Sequence, residues 1–574
     1  MEVRQRRFIF LGLNLITLGL FAILMLMLIL SGGMTVSEWL IGLCFLLTTP
    51  YVVIGFWNSA IGLWLLHCHP DTVHTMPGVA EILDAKRPKP LHCNVALLMT
   101  LRNEAPAPIF ERLERIRVSL ADTGERSRFT FAILSDSDQP AILEAEARAF
   151  TQFEAHRAPD EPAPYYRHRT HNDGYKAGNI GEFLDTHGAT FDYFMPLDVD
   201  SLIAGNVIIR MVTTMQAHPE IGILQSLVVG MPSLSAFTRV FQFGMRHGMR
   251  VFTTGAAWWT ADCGPYWGHN AVVRTAPFHQ HCRLPKIPGR APFGGFVLSH
   301  DQLEATFIRR AGYEVRVIPV ESDSFEINPP TLLDFIRREL RWTQGNMQYF
   351  HFLATPGLKA TSRIQLCIAI GMYLAQAAWI LMIAIGCIGS MVGNFHFRDL
   401  TLGMTLFVGV FFLSVAPKLF GALDVYLSKG GPRRYGGRLR FGLSVLMEFL
   451  SSTLMAPIVA LSVTLFLIGL GFGKSVSWGG QNREQTNIPW RSALPALAPH
   501  TLAGLALATA LGWVGGWHAV LWGLPIITGL ALAMPYTVLS ARSAIGRQLT
   551  RWGLFSIPEE RSTPAVLSLP ASRS

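Results

Sequence analysis

Charged side chains are scarce along this chain. They make up 15% of its 574 residues, against about 25% in an ordinary soluble domain, and mean hydropathy is +0.32. A surface so poor in charge must face lipid over much of its area. No C-x-x-C pair occurs among the seven cysteines, Cys44, Cys68, Cys93, Cys263, Cys282, Cys367 and Cys387. Several lie inside apolar blocks, where a thiol is a small hydrophobe, so neither a disulfide framework nor a zinc site follows. The tract Phe278-His279-Gln280-His281-Cys282 has no second ligand pair at a zinc-finger spacing and reads as a polar loop. No internal repeat or low-complexity tract is present. The charge that does occur is unbalanced, +9 overall. Basic residues sit beside apolar blocks, as the positive-inside rule describes, so the expected partner is a membrane and not nucleic acid.

The apolar blocks come in two groups. Arg4, Arg6 and Arg7 precede Phe8–Leu30, which is apolar apart from Asn14 and Thr17. This run exceeds the core of a secretory signal and has no small-x-small cleavage site, so it reads as an anchor. Trp39–Leu66 is a second block, and both exceed the ~20 residues a crossing takes. Residues 1–70 are therefore expected to form two membrane helices. The second group fills 361–541. Ile364–Val392 and Leu400–Tyr426 read as spans, followed by Lys429, Arg433, Arg434, Arg438 and Arg440 in a cytosolic loop. Phe441–Phe472 carries Glu448 and Pro457 near its middle and has 32 residues, where two crossings need about 40. It is expected to be either a short hairpin or an interfacial helix with a re-entrant piece. Leu502–Trp517 and Ala519–Leu539 complete the group, about four to six passes in all. The tail, 542–574, carries Arg542, Arg547, Arg551 and Arg561.

Between the groups, from 88 to 352, short apolar runs alternate with helical patterns. Val95–Met99, Phe129–Leu134, Phe191–Leu197 and Ile221–Leu224 read as buried strands. Pro108–Leu120 places Phe110, Leu113, Ile116 and Leu120 at helical spacing, and Ala141–Phe150 is similar. Such alternation predicts a Rossmann-like α/β domain on a mainly parallel sheet. Ligands then bind beyond the carboxyl ends of the strands. Asp136 and Asp198 each follow a strand end directly.

Asp198-Val199-Asp200 suits a divalent cation, because Mg²⁺ favours one or two carboxylates plus substrate phosphates. Alone the motif is weak, since aspartates are common in turns. Asp301, in Ser299-His300-Asp301, is a candidate general base for an acceptor hydroxyl, and such a position also suits a helix N-cap. Arg338 and Arg341, three apart on a helix spanning Leu332–Phe350, share a face and can grip a diphosphate. Trp342 beside them offers an indole to a sugar ring, or an anchor at the membrane surface. Lys176, in a turn entering a helix, can meet a phosphate as a point charge. Thr100 to Glu104 close the first strand, where a base-binding loop belongs. Gly473-Lys474-Ser475 is not a P-loop, because position 468 is Ile.

These motifs, in this order and between membrane spans, resemble the processive family-2 glycosyltransferases, the cellulose, hyaluronan and related synthases. Arg338 in place of Gln, and S-H-D in place of T-E-D, resemble one branch, the glucans biosynthesis glucosyltransferase H family. Further likeness lies in Phe131–Ser137, in L-S-H-D-x-x-E-A at 298–305, R-R-A-G at 309–312, P-P-x-L-L-D at 329–334 and R-W-x-x-G-N at 341–346. Tyr266-Trp267-Gly268-His269-Asn270-Ala271 and Ile557-Pro558-Glu559-Glu560 match as well.

The resemblance implies an inverting, glycosyltransferase-A-type domain inserted into a polytopic helical membrane region. It implies UDP-glucose as donor and Mg²⁺ or Mn²⁺ as cofactor. The product would be a β-1,2-linked backbone of osmoregulated periplasmic glucan, exported through the same polypeptide. Asp301 would be catalytic and Asp198 and Asp200 would hold metal. Thr100, Glu104, Asp136, Lys176, Asp198, Arg338 and Arg341 would face the nucleotide sugar, and Trp342, Tyr266, Trp267, His269 and Asn270 the acceptor. The place implied is a bacterial inner membrane with catalytic domain and both termini cytosolic. A periplasmic glucan-processing protein and acyl carrier protein are partners by the same likeness. Enterobacterial members carry a long cytosolic N-terminal extension, whereas the first span here starts at residue 8, so roles attached to that extension are not expected. The alternatives are a cellulose-like or hyaluronan-like synthase, against which R-x-x-R-W counts, and a transporter with a regulatory α/β domain. The latter would not need four separated motifs, and the spans lack paired broken helices.

Overall fold

A computed structural model describes residues 1–84, 90–393, 399–476 and 487–569; the domain start expected at residue 88 lies outside them. Two long helices open the chain, α1 (Val3–Ser31) and α2 (Val36–Cys68). The second begins earlier than its apolar block because Thr35 caps it, its side chain accepting from the Glu38 amide while Glu38 reaches back.

The α/β domain holds eight strands: β1 (Val95–Leu101), β2 (Phe129–Ser135), β3 (Tyr165–His168), β4 (Tyr193–Leu197), β5 (Leu202–Ile203), β6 (Ile221–Gly230), β7 (Ala271–Arg274) and β8 (Glu314–Glu326). They form one sheet in the order β3-β2-β1-β4-β7-β6-β8-β5. The four strands expected from the apolar runs are all present. The sheet is mixed, however. β1, β2, β3 and β4 run parallel, whereas β7 lies antiparallel between β4 and β6, and β5 antiparallel to β8. The parallel half is built by helical crossovers, α3 (Pro106–Ala121), α4 (Pro140–Ala155) and α5 (Tyr175–His187); α6 (Gly205–Ala217) follows β5. Every residue of β6 is buried, as expected for a strand covered on both faces.

An amphipathic helix outside the segments read from the sequence, α7 (Ala236–Thr260), joins the domain to the membrane helices. Its Gly255 and the Gly62 of α2 let two backbones touch: a Cβ on either would overlap the carbonyl oxygen of Asn58 or Val251. Trp259 stacks on Phe10 at 4.3 Å, and its Nε1 donates to Asn58 Oδ1 at 2.9 Å. Further along come α8 (Asp301–Arg310), α9 (Leu332–Met347), α10 (Ala360–Met391), α11 (Leu400–Leu427), α12 (Arg438–Gly471), α13 (Trp490–Ala531), α14 (Ala533–Ser540) and α15 (Ser543–Trp552).

Among the described residues, six helices are long and apolar enough to cross a bilayer, namely α1, α2, α10, α11, α12 and α13. Of the two forms expected for 441–472, a short hairpin or an interfacial helix with a re-entrant piece, the hairpin is not seen: α12 is one helix that carries Pro457 in its interior. Its two ends meet the α/β side of the molecule. Phe441 packs on Phe243 of α7 at 5.7 Å, and Val476, beyond the other end, donates to Gln344 Oε1 of α9 at 2.7 Å. Between α11 and α12, Lys418 pairs with Glu448 and donates to Ser452 Oγ at 2.9 Å, so neither charge stands alone among the apolar helices. α13 breaks at Gly516 (φ 59°, ψ −155°) into two arms, matching the two blocks read there.

The tail returns to α7. Arg246 Nη2 meets Glu559 Oε1 at 2.8 Å and also pairs with Glu321 of β8; Arg239 grips Glu560 with both terminal nitrogens. At the other terminus Arg7 pairs with Asp262 and donates to the Trp259 and Thr260 carbonyls. Both ends of the described chain are thereby fastened on the side of the α/β domain.

Candidate active site

The loops after β1, β2 and β4 open at one end of the parallel half-sheet. After β1, Asn103 adopts φ 59°. Its side-chain oxygen accepts from the amides of Asp138 and Gln139, at 3.0 and 3.2 Å, and its own amide donates to Ser137 Oγ at 2.7 Å. The first two loops are thus stitched together. Glu104 Oε2 accepts from the Arg102 amide at 2.6 Å, which folds this carboxylate back over the strand end that begins at Thr100.

Asp136 is buried at the end of β2, and both its oxygens face Arg169, with Nη2 to Oδ2 at 2.9 Å. Asn172, with its amide oriented to suit its neighbours, also donates to Oδ2. The nucleotide-side carboxylate of the sequence reading is therefore a fixed acceptor at the crevice floor. Arg169 also donates to the Asp173 and Tyr175 carbonyls, which holds the turn that delivers Lys176.

Asp198 follows β4 directly. The D-V-D turn closes with Ser201 N donating to the Asp198 carbonyl at 2.9 Å, and Ser201 Oγ accepting from the Asp198 amide at 3.0 Å. Arg112 of α3 donates to the Val199 carbonyl at 2.9 Å from beneath. The turn leaves the Asp198 side chain 35% exposed and Asp200 buried. Lys176 pairs with Asp198 and donates to the Gly268 carbonyl at 2.7 Å.

Gly268 (φ 79°) lies against Asp301: a Cβ placed on it would stand 3.4 Å from both Asp301 Cβ and His300 Cε1. Asp301 is the first residue of α8, and His300 occupies the cap position without a capping bond. Its carboxyl is pushed above the ordinary aspartate range by desolvation, partly offset by His300 and the Gln302 amide. Burial disfavours charge on His300, but Glu304, whose Oε2 lies 2.8 Å from Nδ1, and Asp301 together raise its pKa. The loop carrying these residues is clamped from the 3-10 turn that follows α9. Gln348 Oε1 accepts from the Leu298 amide at 2.9 Å, and Tyr349 Oη donates to the Ser299 carbonyl at 2.9 Å. Gly345 sits flush on Ser299, where any Cβ would overlap Oγ.

The two arginines of α9 divide. Arg341 faces Asp198 and Glu104; desolvation lowers its pKa and these carboxylates resist that. Arg338 lies over Trp342 at 4.6 Å and Phe335 at 5.0 Å, and Trp342 stays 41% exposed. Of the Y-W-G-H-N segment, Tyr266 is buried, its hydroxyl disfavoured as phenolate by desolvation and by Glu304 and Asp301. Trp267 N donates to Gln225 Oε1 at 2.9 Å, and His269 Nε2 stands 3.6 Å from Glu326 Oε2. Asn270 is wholly buried, and its amide donates to Ser324 Oγ and the Phe325 carbonyl of β8. This segment props the crevice wall more than it lines it.

Comparison with known proteins gives the context. The family model described as glycosyl transferase family group 2 matches residues 193–417. A glucans biosynthesis glucosyltransferase H of Xylella fastidiosa is 32% identical over 98% of this chain and 89% of its own. That of Rhodopseudomonas palustris is 33% identical over 94% of this chain and 75% of its own. The chain belongs to the glucans biosynthesis glucosyltransferase H family. It is a membrane glycosyltransferase with a glycosyltransferase-A-like domain. Among solved structures, a mannosyltransferase from Pyrobaculum calidifontis, in complex with GDP-Man and Mn²⁺, covers 64% of this chain and 98% of its own at 16% identity and TM-score 0.40.

In this glucosyltransferase-H member Arg169 stands outside the motifs, whereas Asn103 lies in the Thr100–Glu104 segment and Gly345 in R-W-x-x-G-N at 341–346. Arg169 and Asn103 order the crevice floor, and Gly345 sets the approach of α9. Arg169 had a signal, a basic residue at the end of a short aromatic strand. The contacts that Asn103 and Gly345 make depend on which loops and helices the topology makes neighbours.

Proposed function

We propose that this protein transfers glucose, with inversion, from UDP-glucose to the end of a growing β-1,2-linked glucan and passes the product across the membrane, as in osmoregulated periplasmic glucan synthesis. One observation carries the reading: Lys176 joins Asp198 to the Gly268 carbonyl, and Gly268 abuts Asp301. Donor-side carboxylates and candidate base thereby share one crevice. The acceptor hydroxyl loses its proton to Asp301 as its oxygen bonds to the anomeric carbon, and the bond from that carbon to the diphosphate oxygen breaks. Arg341 faces the charge left on the diphosphate. A base with a raised pKa suits this, since proton transfer is most effective when pKa approaches working pH.

The donor set also fits Mg²⁺ or Mn²⁺. Among the described residues no group of three His, Cys, Asp or Glu could hold a metal, and a cation of this kind is satisfied by one or two carboxylates completed by phosphates. Asp198 and Asp200 would hold it, and bound there it would neutralise charge on the departing diphosphate. Lys176, now on Asp198, is placed to turn to a phosphate oxygen.

The membrane arrangement follows from the contacts at α12. A helix with both ends on the α/β side lies along the boundary and does not cross it. The crossings are then α1, α2, α10, α11 and the two arms of α13, an even number. Both termini share the side of the catalytic domain, where Arg4, Arg6, Arg7, Arg433 and Arg434 also gather, which by the positive-inside rule is the cytosol. The test is incubation of purified protein and Mg²⁺ with radiolabelled UDP-glucose or UDP-N-acetylglucosamine, followed by linkage analysis. Polymer from UDP-glucose with 1,2 linkages is expected; polymer only from the N-acetyl donor, or 1,4 linkages, overturns the assignment.

A further inference from the structure

A groove of about 500 Å³ opens beside the membrane helices and shares no residue with the catalytic crevice. Trp490 at the start of α13 and Val538 of α14 form an apolar wall. Arg542, Ser543, Ala544 and Arg547, where α14 turns into α15, form a cationic one. Both arginines are exposed. Arg547 donates to Ser543 Oγ at 3.2 Å, and among the described residues neither arginine is paired with a carboxylate.

The position is fixed by its neighbours. α15 lies against the loop before α7, with Gly546 touching the Leu234 carbonyl. The chain leading into α13 is held at Val476 by Gln344 of α9. The groove therefore lies at the foot of the membrane helices, level with the face of the catalytic domain. α15 has the character of a helix lying in that plane, with Ile545 and Trp552 exposed beside Arg547 and Arg551.

We propose that this groove binds one anionic phospholipid, its phosphate on Arg542 and Arg547 and its first methylenes along Trp490 and Val538. Guanidinium groups match phosphate oxygens in bidentate geometry, and tryptophan favours the headgroup level. The volume lies within the ~300–1,000 Å³ of small-ligand sites. A free phosphate would satisfy the arginines but leave the apolar wall uncovered, so an amphiphile is the better occupant.

The test uses detergent-purified full-length protein and native mass spectrometry, titrated with dioctanoyl phosphatidylglycerol, dioctanoyl phosphatidylcholine or inorganic phosphate. The wild type should hold one phosphatidylglycerol more tightly than the R542Q/R547Q variant by roughly thirty-fold, from about 1 kcal/mol per arginine. Excess phosphate should not displace it, and R542K/R547K should keep part of the affinity. Thermal unfolding of each variant confirms that it folds. If the glutamine variant misfolds, Trp490→Ala serves in its place and should weaken the same adduct. Equal phosphatidylglycerol affinity in wild type and variants overturns the proposal, as does displacement by phosphate or equal retention of phosphatidylcholine.

Discussion

Changing a carboxylate to its amide keeps shape and removes charge, so Asp200 and Asp301 can be told apart by what is lost. Asp200→Asn should abolish turnover and weaken Mg²⁺-dependent UDP binding together, because the D-V-D turn serves the donor. Asp301→Asn should lower kcat by roughly 10²–10⁴-fold with UDP affinity little changed, and a parallel collapse of UDP binding would reassign it. Desolvation raises the Asp301 pKa, and the base must be ionised to accept a proton. The acid limb of kcat/KM should therefore lie above the ~3.9 of a free aspartate, with activity lost as pH falls through it. Trp342 gives a third test. Arg338 covers one face of its indole and the residue is 41% exposed, so Trp342→Ala should spare UDP binding and metal dependence while cutting polymer synthesis severely. Polymer of normal rate and length would make this tryptophan a surface anchor only.

Among the elements, the tail and α7 are the least expected pairing. Arg239 and Arg246 are buried, and their partners Glu559 and Glu560 come from the far end of the chain. Removing one partner of a buried pair strands the other charge at a cost of about 3–5 kcal/mol. E559Q/E560Q should therefore lower the unfolding temperature in detergent, and an unchanged melting curve would show that the clasp contributes nothing. Glu321 shares Arg246. Burial would raise its pKa, but Arg246 and Arg434 pull it down to about 2. Its stabilising contribution is then present above the ~4.3 of a free glutamate and fades as pH falls toward 2. None of this was legible in the sequence, because the amphipathic pattern of α7 does not say that its buried arginines meet carboxylates more than 300 residues away. The strands β1, β2, β4 and β6 were legible, as runs of Val, Ile, Leu, Met and Phe that only a sheet core accommodates. β7 is too short to signal itself, and its antiparallel insertion makes the sheet mixed. For α12 the length arithmetic left a hairpin and an interfacial helix both open, because composition does not say which way a long apolar helix lies.

At the scale of the whole molecule, the motifs forecast which residues meet but not what holds them. Asp136 and Asp198 open from neighbouring strand ends, and Asp301 is brought to Asp198 through Lys176 and Gly268, whereas Arg169 reaches Asp136 only through the order of β2 and β3. The clasp on α7 also has a consequence in time. Arg246 and Glu559 are 313 residues apart. At about 5–20 residues per second, roughly 15–60 s of synthesis separate them. Throughout that interval the nascent protein carries a cationic socket that no residue yet made by the ribosome can fully fill. Quality-control proteases that cut loose helices would find α7 open until Glu559 and Glu560 emerge. Released chains truncated before Glu559 should be cleaved within α7 faster than chains that carry Glu559 and Glu560. The turn that bears these two carboxylates thus works as a seal that closes long after the helix it protects is made.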